Sequence, residues 1–232
     1  PSLVVGFKPS KNFKKIKHKI PMLSLSNAFD EKDLKNFEKK ILNFLSLKEN
    51  NEIEYSTEPK IDGISASLTY KNGILITGLS RGDGIEGEDI TENLKTLKDI
   101  PKQITNKDFP NEIDIRGEVF ISKNDFKKIG EKFANARNAA SGSLRQKNSA
   151  KTKKIPLKFI AYTFGYSDNN NCKTQSDFLS SLKKWGFKTN EFNKTVKGVK
   201  NLAQHHKKFE EKRYSLDYDI DGLVYKVNKF DL

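Results

Sequence analysis

The pattern that most constrains the fold is a pair of β-rich runs joined by an Asn-Gly dipeptide. Ile64–Tyr70 and Ile74–Ser80 flank Lys71-Asn72-Gly73, and Asn-Gly between two such runs is the strongest short signal of a β-hairpin. Periodicity predicts further strands at 53–58, 112–121, 157–166 and 219–227, helices at 31–47, 123–133, 175–185 and 197–213, an extended basic lead-in at 1–29, and loops at 81–89 and 167–173. Hairpin-linked strands mixed with helices predict an α+β fold with mostly antiparallel sheets.

Length and composition narrow the class of protein. The 232 residues suit one large domain or two small ones. No apolar run approaches the roughly 20 residues of a membrane span, and the first residues do not resemble a signal peptide. The single cysteine, Cys172, excludes an internal disulfide and a cysteine-cluster zinc site within the chain. The cytoplasm is therefore the expected compartment.

The net charge is +13, from 43 Lys+Arg against 30 Asp+Glu. Such an excess predicts a polyanionic partner, because cations that neutralise phosphates release counterions. An AT-rich coding sequence would give the same lysine bias without selection for charge, so the charge leaves both explanations open.

Arginine is scarce, and its positions are informative. The five arginines are Arg81, Arg116, Arg137, Arg145 and Arg213. Four of them lie between residues 81 and 145, beside Gly, Asn, Ser or Gln, as expected where the planar guanidinium fork matters. Residues 134–146 carry two of these in a small, polar run, which would bring backbone N–H groups and guanidinium groups to phosphates. The alternative is a loop rich in small residues.

Lys60 is a candidate nucleophile in the run Glu58-Pro59-Lys60-Ile61-Asp62-Gly63. Pro59 fixes φ and lacks an N–H, so the strand must end there or lie at an edge. Gly63 permits a tight turn or the close approach of a ligand. Desolvation or nearby cations lower the pKa of a lysine and thereby make its amine nucleophilic. The alternative is a surface lysine in a salt bridge.

Two further strands carry charges in unexpected places. Arg116 and Glu118 share one face of an alternating strand, where an inward carboxylate is costly unless it binds something. A surface Arg116–Glu118 pair is the alternative. Lys226 ends an apolar run, which suits a cation aimed into a pocket, although a lysine at a strand end often only reaches solvent.

In order along the chain, these stretches resemble the motifs of the covalent nucleotidyltransferases, which comprise DNA ligases, RNA ligases and capping enzymes. The motifs are KIDG at 60–63, SRGDG at 80–84, IRGEVF at 115–120, LKFIAYTFG at 157–165 and DIDGLVYKV at 219–227. PMLSLSNAF at 21–29, SRGDGIEGEDIT at 80–91 and ANARNAASGSLRQ at 134–146 resemble specifically the bacterial NAD-dependent DNA ligases. The resemblance implies a nucleotidyltransferase fold that binds its nucleotide in a cleft between sheets.

The resemblance also implies roles for individual residues. Lys60 would attack NAD, release nicotinamide mononucleotide and hold AMP, which then passes to the 5′-phosphate of nicked double-stranded DNA. The implied residues are Lys60 and Asp62 for catalysis, Ser24, Leu25, Glu58, Arg81, Glu118, Tyr162 and Lys226 for the nucleotide, and Arg137 and Arg145 for adenylate and DNA phosphates. Asp62 and Asp221 match acidic residues that are needed for activity. Mg²⁺ is expected, with its ligands left open.

Several parts of the family pattern are not found in this sequence. The chain does not begin with Met, and we expect it to be an adenylation domain over 1–232, truncated at both ends. The nicotinamide-reading N-terminal domain and the OB-fold, zinc-finger, helix-hairpin-helix and BRCT parts are missing, so weak activity of the isolated, monomeric chain is expected. An ATP-dependent nucleotidyltransferase and a non-catalytic basic nucleic-acid-binding module are the alternatives. The ANARNAASGSLRQ run disfavours the former, and the ordered motifs disfavour the latter.

Overall fold

The computed structural model describes residues 13–48, 51–129 and 133–232. Residues 1–12 of the predicted lead-in and 130–132 of the predicted helix 123–133 lie outside this part. The strands are β1 Lys15–Lys17, β2 Glu54–Ile61, β3 Ile64–Lys71, β4 Ile74–Ser80, β5 Glu86–Glu88, β6 Glu112–Phe120, β7 Lys158–Ser167, β8 Lys194–Lys197 and β9 Ile220–Val227. The helices are α1 Glu31–Phe44, α2 Thr91–Leu94, α3 Lys123–Ile129, α4 Ala136–Leu144, α5 Ser149–Thr152, α6 Gln175–Lys184 and α7 Val199–Arg213.

The strands form three sheets in which every described pairing is antiparallel. The order is β4-β3-β6-β7 in a four-stranded sheet and β8-β2-β9 in a three-stranded sheet, while β1 pairs with β5. The predicted α+β class with antiparallel sheets is confirmed. Within the described residues, no helix is long and apolar enough to span a bilayer.

The predicted β3–β4 hairpin is confirmed, and its turn follows from its two central residues. Asn72 has φ 48° and Gly73 has φ 74°, so both adopt the left-handed region that a two-residue type I′ turn requires. A Cβ at Gly73 would lie 2.0 Å from the carbonyl oxygen of Ile104. Glycine is therefore required at this position by conformation and by space.

β2 runs further than predicted, through Pro59 and Lys60. β8 pairs only with Glu54–Thr57, whereas β9 pairs along Tyr55–Ile61. Past Thr57, β2 is thus an edge on its β8 side among the described strands, and a residue without an N–H is tolerated there. The expectation of an edge position for Pro59 is confirmed.

Of the three hydrophobic clusters among the described residues, the two larger ones lie on the two main sheets. The larger one joins the four-stranded sheet to α2, α4 and α6, and it contains Leu68, Ile115, Phe159 and Phe178. The smaller one lies between the three-stranded sheet and α1 and α7, and it includes Tyr55. α1 begins where predicted, because the Asp30 side chain accepts a hydrogen bond from the N–H of Asp33.

Local sequence did not specify the secondary structure of two stretches. The predicted loop 81–89 contains β5, whose glutamates lie opposite the lysines of β1 (Lys15↔Glu88 and Lys17↔Glu86). The partner strand lies about seventy residues earlier, so local sequence does not reveal it. The small, polar run 134–146 forms α4, which begins after Asn135 because its side chain accepts from the N–H of Asn138.

Candidate active site

Lys60 and Asp221 form the centre of the candidate site, on neighbouring strands β2 and β9. The Lys60 ammonium donates to Asp221 Oδ2 at 2.5 Å, and both side chains are almost half exposed, at 43% and 45%. Lys60 lies opposite Gly222 and Ile61 opposite Ile220, so Asp221 is the extra residue of a β-bulge. Bulges re-aim side chains, and this one directs the carboxylate to the lysine.

Asp62 lies in the tight connection between β2 and β3, next to α4. Its N–H donates to the carbonyl of Asp219 at 2.9 Å, and its Oδ1 accepts from Arg137 Nη1 at 2.7 Å. A Cβ at Gly63 would lie 2.4 Å from the carbonyl oxygen of Val119. The glycine of the KIDG run is thus needed because the turn passes close to β6, a contact that the sequence did not specify.

Glu118, on β6, faces the same cluster. Its Oε2 accepts a 2.8 Å hydrogen bond from the Ser65 hydroxyl. Burial raises the pKa of the Glu118 carboxyl to about 7, although Ser65 and the positive charges of Arg137 and Lys60 oppose this rise. Since the charge of Asp62 also acts on it and Asp221 is paired with Lys60, one lysine, one arginine and three carboxylates share a small electrostatic neighbourhood.

A second network, which is buried, is centred on Glu58, two residues before Lys60 on β2. Glu58 is 4% exposed, and its carboxylate accepts from Ser56 Oγ at 3.0 Å, from Gln175 Nε2 at 2.9 Å and from Lys226 Nζ at 2.9 Å. Ser56, Glu58 and Lys60 alternate along one face of β2, opposite the face of Tyr55. The network therefore lies beside the Lys60 cluster.

Tyr162 links the two main sheets through its backbone. Arg116 lies opposite Thr163 and Gly117 opposite Ala161, so Tyr162 is the extra residue of a bulge in β7. Its carbonyl accepts from Gln175 Nε2 at 2.6 Å and from Lys226 Nζ at 3.1 Å. The Lys226 ammonium also lies 5.3 Å from the centre of the Tyr162 ring.

Of the predicted nucleotide residues, Arg81 contacts Ser24 in the segment before α1, and Leu25 follows Ser24 in that segment. Arg81 donates from Nε to the carbonyl of Met22 at 3.3 Å and from Nη2 to Ser24 Oγ at 2.9 Å. Leu25 is 58% exposed. The charges of Arg81 and Glu118 both act on the Tyr162 hydroxyl, whose pKa is raised chiefly by burial. This segment thus borders the site.

Arg145 is the predicted site residue that the structure places in different surroundings. Its Nε donates to Glu88 Oε2 at 2.6 Å and its Nη1 to Ser141 Oγ at 2.6 Å. Glu88 is completely buried, whereas 19% of the Arg145 side chain is exposed. The role of Arg145 in binding DNA or adenylate phosphates stays a prediction.

Sequence reasoning missed Gln175. This residue is 1% exposed and donates to both Glu58 and Tyr162. Its place at the first turn of α6, after the capping residue Thr174, gave no signal of a site role, because glutamine is common on helices. Its contacts exist only once α6 packs on β7.

Comparison with known proteins identifies the family. The profile of the NAD-dependent DNA ligase adenylation domain matches residues 10–232. The chain belongs to this family. The predicted recognition and the NAD-dependent class are thus confirmed, and the ATP-dependent alternative is disfavoured.

Curated relatives of this adenylation domain are much longer proteins. The chain is 72% identical over 232 residues to the DNA ligase of Pelagibacter ubique, covering 100% of the chain and 34% of that ligase. It is 46% identical over 239 residues to the DNA ligase of Bradyrhizobium sp., covering 100% of the chain and 33% of that ligase. The chain thus spans about a third of these relatives.

Solved structures give a more distant likeness. A mycobacterial DNA ligase D complexed with ATP and MES has a TM-score of 0.44 and 13% identity, over 76% of this chain and 49% of that one. This likeness is too low to support a conclusion about the site.

Proposed function

We propose that this adenylation domain transfers AMP from NAD to the side chain of Lys60. The observation that carries the proposal is the Lys60–Asp221 pair at 2.5 Å, within the electrostatic cluster of Glu118, Asp62 and Arg137. In this pair, the accessible amine of Lys60 lies beside the Asp221 carboxylate, which can hold its proton. The nearby cations are suited to binding phosphate.

The proposed reaction is a single displacement at phosphorus. Lys60 Nζ attacks the α-phosphorus of NAD, the N–P bond forms, and the P–O bond to nicotinamide mononucleotide breaks. Asp221 is within hydrogen-bonding distance of the amine and is the group placed to take its proton. Phosphoryl transfer depends mainly on positioning and charge neutralisation, which an ordered set of cations and carboxylates provides.

The buried network, Tyr162 and the neighbouring Glu118 would bind the adenosine half of NAD. Tyr162 offers a ring for stacking, and the Glu118 carboxylate can accept hydrogen bonds from ribose hydroxyls. Lys226 uses two of its three N–H donors on Glu58 and Tyr162, which leaves one for an α-phosphate oxygen. Arg81, Ser24 and Leu25 would close the adenine side from the segment before α1.

Mg²⁺ would be bound mainly through phosphate oxygens of the nucleotide, as is common for this ion. At the site, Asp221 is paired with Lys60 and Asp62 with Arg137, and no group of three or more acidic, His or Cys side chains suited to a metal occurs within the described ranges. The residues therefore fit an ion delivered with its nucleotide better than a preformed protein cage.

We further propose that the adenylate passes to the 5′-phosphate of a nick in double-stranded DNA, where the 3′-hydroxyl displaces AMP. The charge of +13 supports a polyanionic substrate. Arg137 lies on α4 and 48% of its side chain is exposed, so it can contact a phosphate while it remains paired with Asp62. Arg145 would have to break its ion pair with Glu88 to contact a phosphate. Nick sealing by a cytoplasmic monomer would serve replication and repair.

The experiment uses a chimera in which this domain replaces the matching third of the Pelagibacter ubique DNA ligase. Incubation with NAD or ATP labelled in the AMP moiety, followed by mass mapping, should give an adduct from NAD on Lys60. The control Lys207→Arg, on α7, should retain labelling. AMP on another lysine, or equal labelling by ATP, would contradict the proposal.

A further inference from the structure

The segment of residues 18–25, called the strap, follows β1 of the two-stranded sheet and leads toward α1. Its backbone is hydrogen bonded to the glycine-rich loop after β4: the His18 N–H donates to the carbonyl of Ile85 at 2.9 Å, and the Met22 N–H donates to that of Gly84 at 2.8 Å. The strap ends with Ser24 and Leu25, the expected adenine contacts.

Met22 is buried, at 5% exposed, but apolar burial does little to hold the strap beyond it. Leu23 is 82% exposed and Leu25 is 58% exposed, so these side chains gain little from removal from water. A segment of this kind keeps one conformation only if polar contacts fix its backbone, because each ordered residue loses conformational entropy.

Arg116 supplies such contacts from β6. Its Nη1 donates to the carbonyl of Pro21 at 3.3 Å, and its Nη2 donates to the carbonyl of Ile20. Within the described residues Arg116 donates to these carbonyls and Glu118 accepts from Ser65, so the alternative of an Arg116–Glu118 surface pair is not observed. The planar fork of arginine matches two successive carbonyls in a way that a lysine ammonium does not.

Gly165, on β7, makes room for this guanidinium group. A Cβ at Gly165 would lie 2.6 Å from Arg116 Nη2 and 2.8 Å from Cζ and Nε. A methyl group there would therefore push the end of a flexible side chain away from the strap, while the backbone of β7 could stay in place.

We propose that Arg116 is a positioning residue for adenine binding: it fixes the strap at Ile20 and Pro21 and thereby presents Ser24 and Leu25 to the nucleotide. The proposal rests on the proposed function. Arg81 fixes the next part of the strap through Met22 and Ser24. Ordering the strap before the nucleotide arrives lowers the entropic cost of binding, so the loss of Arg116 should weaken nucleotide binding more than it slows the chemical step.

The first test measures hydrogen exchange of the strap in the 232-residue chain. Arg116→Ala and Gly165→Ala should each accelerate exchange at the amides of His18 and Met22 about tenfold, as expected for loss of a charge-assisted hydrogen bond. Arg213→Ala is the matched control, because Arg213 also donates to a backbone carbonyl, that of Ile220 at 2.8 Å, and it should leave strap exchange unchanged. Unchanged exchange in Gly165→Ala and Arg116→Ala would overturn the proposal.

The second test uses the chimera described above. Arg116→Ala and Gly165→Ala should each raise the KM for NAD about tenfold and change kcat much less. Arg116→Lys should restore only part of the affinity. Faster exchange with unchanged KM would show that the strap is held for another reason and would overturn the role in binding. If the unmutated chimera forms no lysyl-AMP, the proposed function fails, while the exchange result still decides whether Arg116 fixes the strap.

Discussion

The carboxyl group of Glu118 should make the stability of this domain fall as pH rises toward neutrality. Burial raises its pKa from an ordinary 4.5 to about 7, so the folded state keeps a proton that the unfolded chain has lost between these values. The stability associated with that proton is present in full below pH 4.5 and is lost as pH rises through about 7. The difference of about 2.5 between the two pKa values corresponds to at most about 3 kcal/mol.

Glu118→Gln isolates this contribution, because the amide cannot ionise but can still accept the hydrogen bond from Ser65. Urea unfolding of both proteins between about pH 4.5 and 8.5 gives the difference in unfolding free energy at each pH. That difference should move in favour of the variant by up to about 3 kcal/mol as pH rises.

The control is Asp125→Asn. Hydrogen bonds from Ser122 and Lys158 lower the pKa of Asp125 to about 2, so its contribution is lost only as pH falls through that value and should be constant over the range tested. A Glu118→Gln difference that varies by less than about 0.5 kcal/mol, the usual effect of a neutral surface substitution, would refute the assigned pKa.

Three further outcomes are expected. Lys60→Arg in the chimera should abolish the acid-stable AMP adduct, because a guanidinium does not deprotonate to attack phosphorus; mass spectrometry after incubation with NAD measures this. Arg145→Ala should lower the free energy of urea unfolding by about 3–5 kcal/mol, since it breaks an ion pair to the fully buried Glu88, and should slow nick sealing more than Lys207→Ala; equal values for the two variants would count against both roles. The isolated chain should gain the AMP mass from NAD far more slowly than the chimera, because a nicotinamide-reading domain of the kind that the resemblance implies would align the leaving group; complete, rapid labelling would contradict this.

Elements specified by neighbouring residues were predicted well. Asn72-Gly73 determines its turn because these residues tolerate positive φ. Asp30 determines the start of α1 because its side chain caps an N–H three residues on. Alternation along β6 correctly predicted the buried face of Ile113, Ile115 and Val119, but Asp114 and Phe120 on the opposite face are buried as well. The order of the motifs also pointed to the right family, because motifs are runs of neighbouring residues that can be recognised in the sequence itself.

Contacts between distant segments were outside the reach of the sequence. β5 was predicted as a loop because its partner β1 lies far away along the chain. Gln175 joins the site only where α6 packs on β7, and Arg145 turned out to bind the buried Glu88. Glu58 lies 117 residues from Gln175, and Glu88 lies 57 residues from Arg145.

The two bulges show the physical reason most clearly. Asp221 faces Lys60 and Tyr162 offers its carbonyl to Lys226 because each is one extra residue in its strand. The sequence alone predicted which residues have the chemistry to bind and transfer a nucleotide. Only the tertiary structure decided which of these residues meet. A bulge shifts the pairing of two strands by one residue, and the sequence of the strands does not show where the bulge lies.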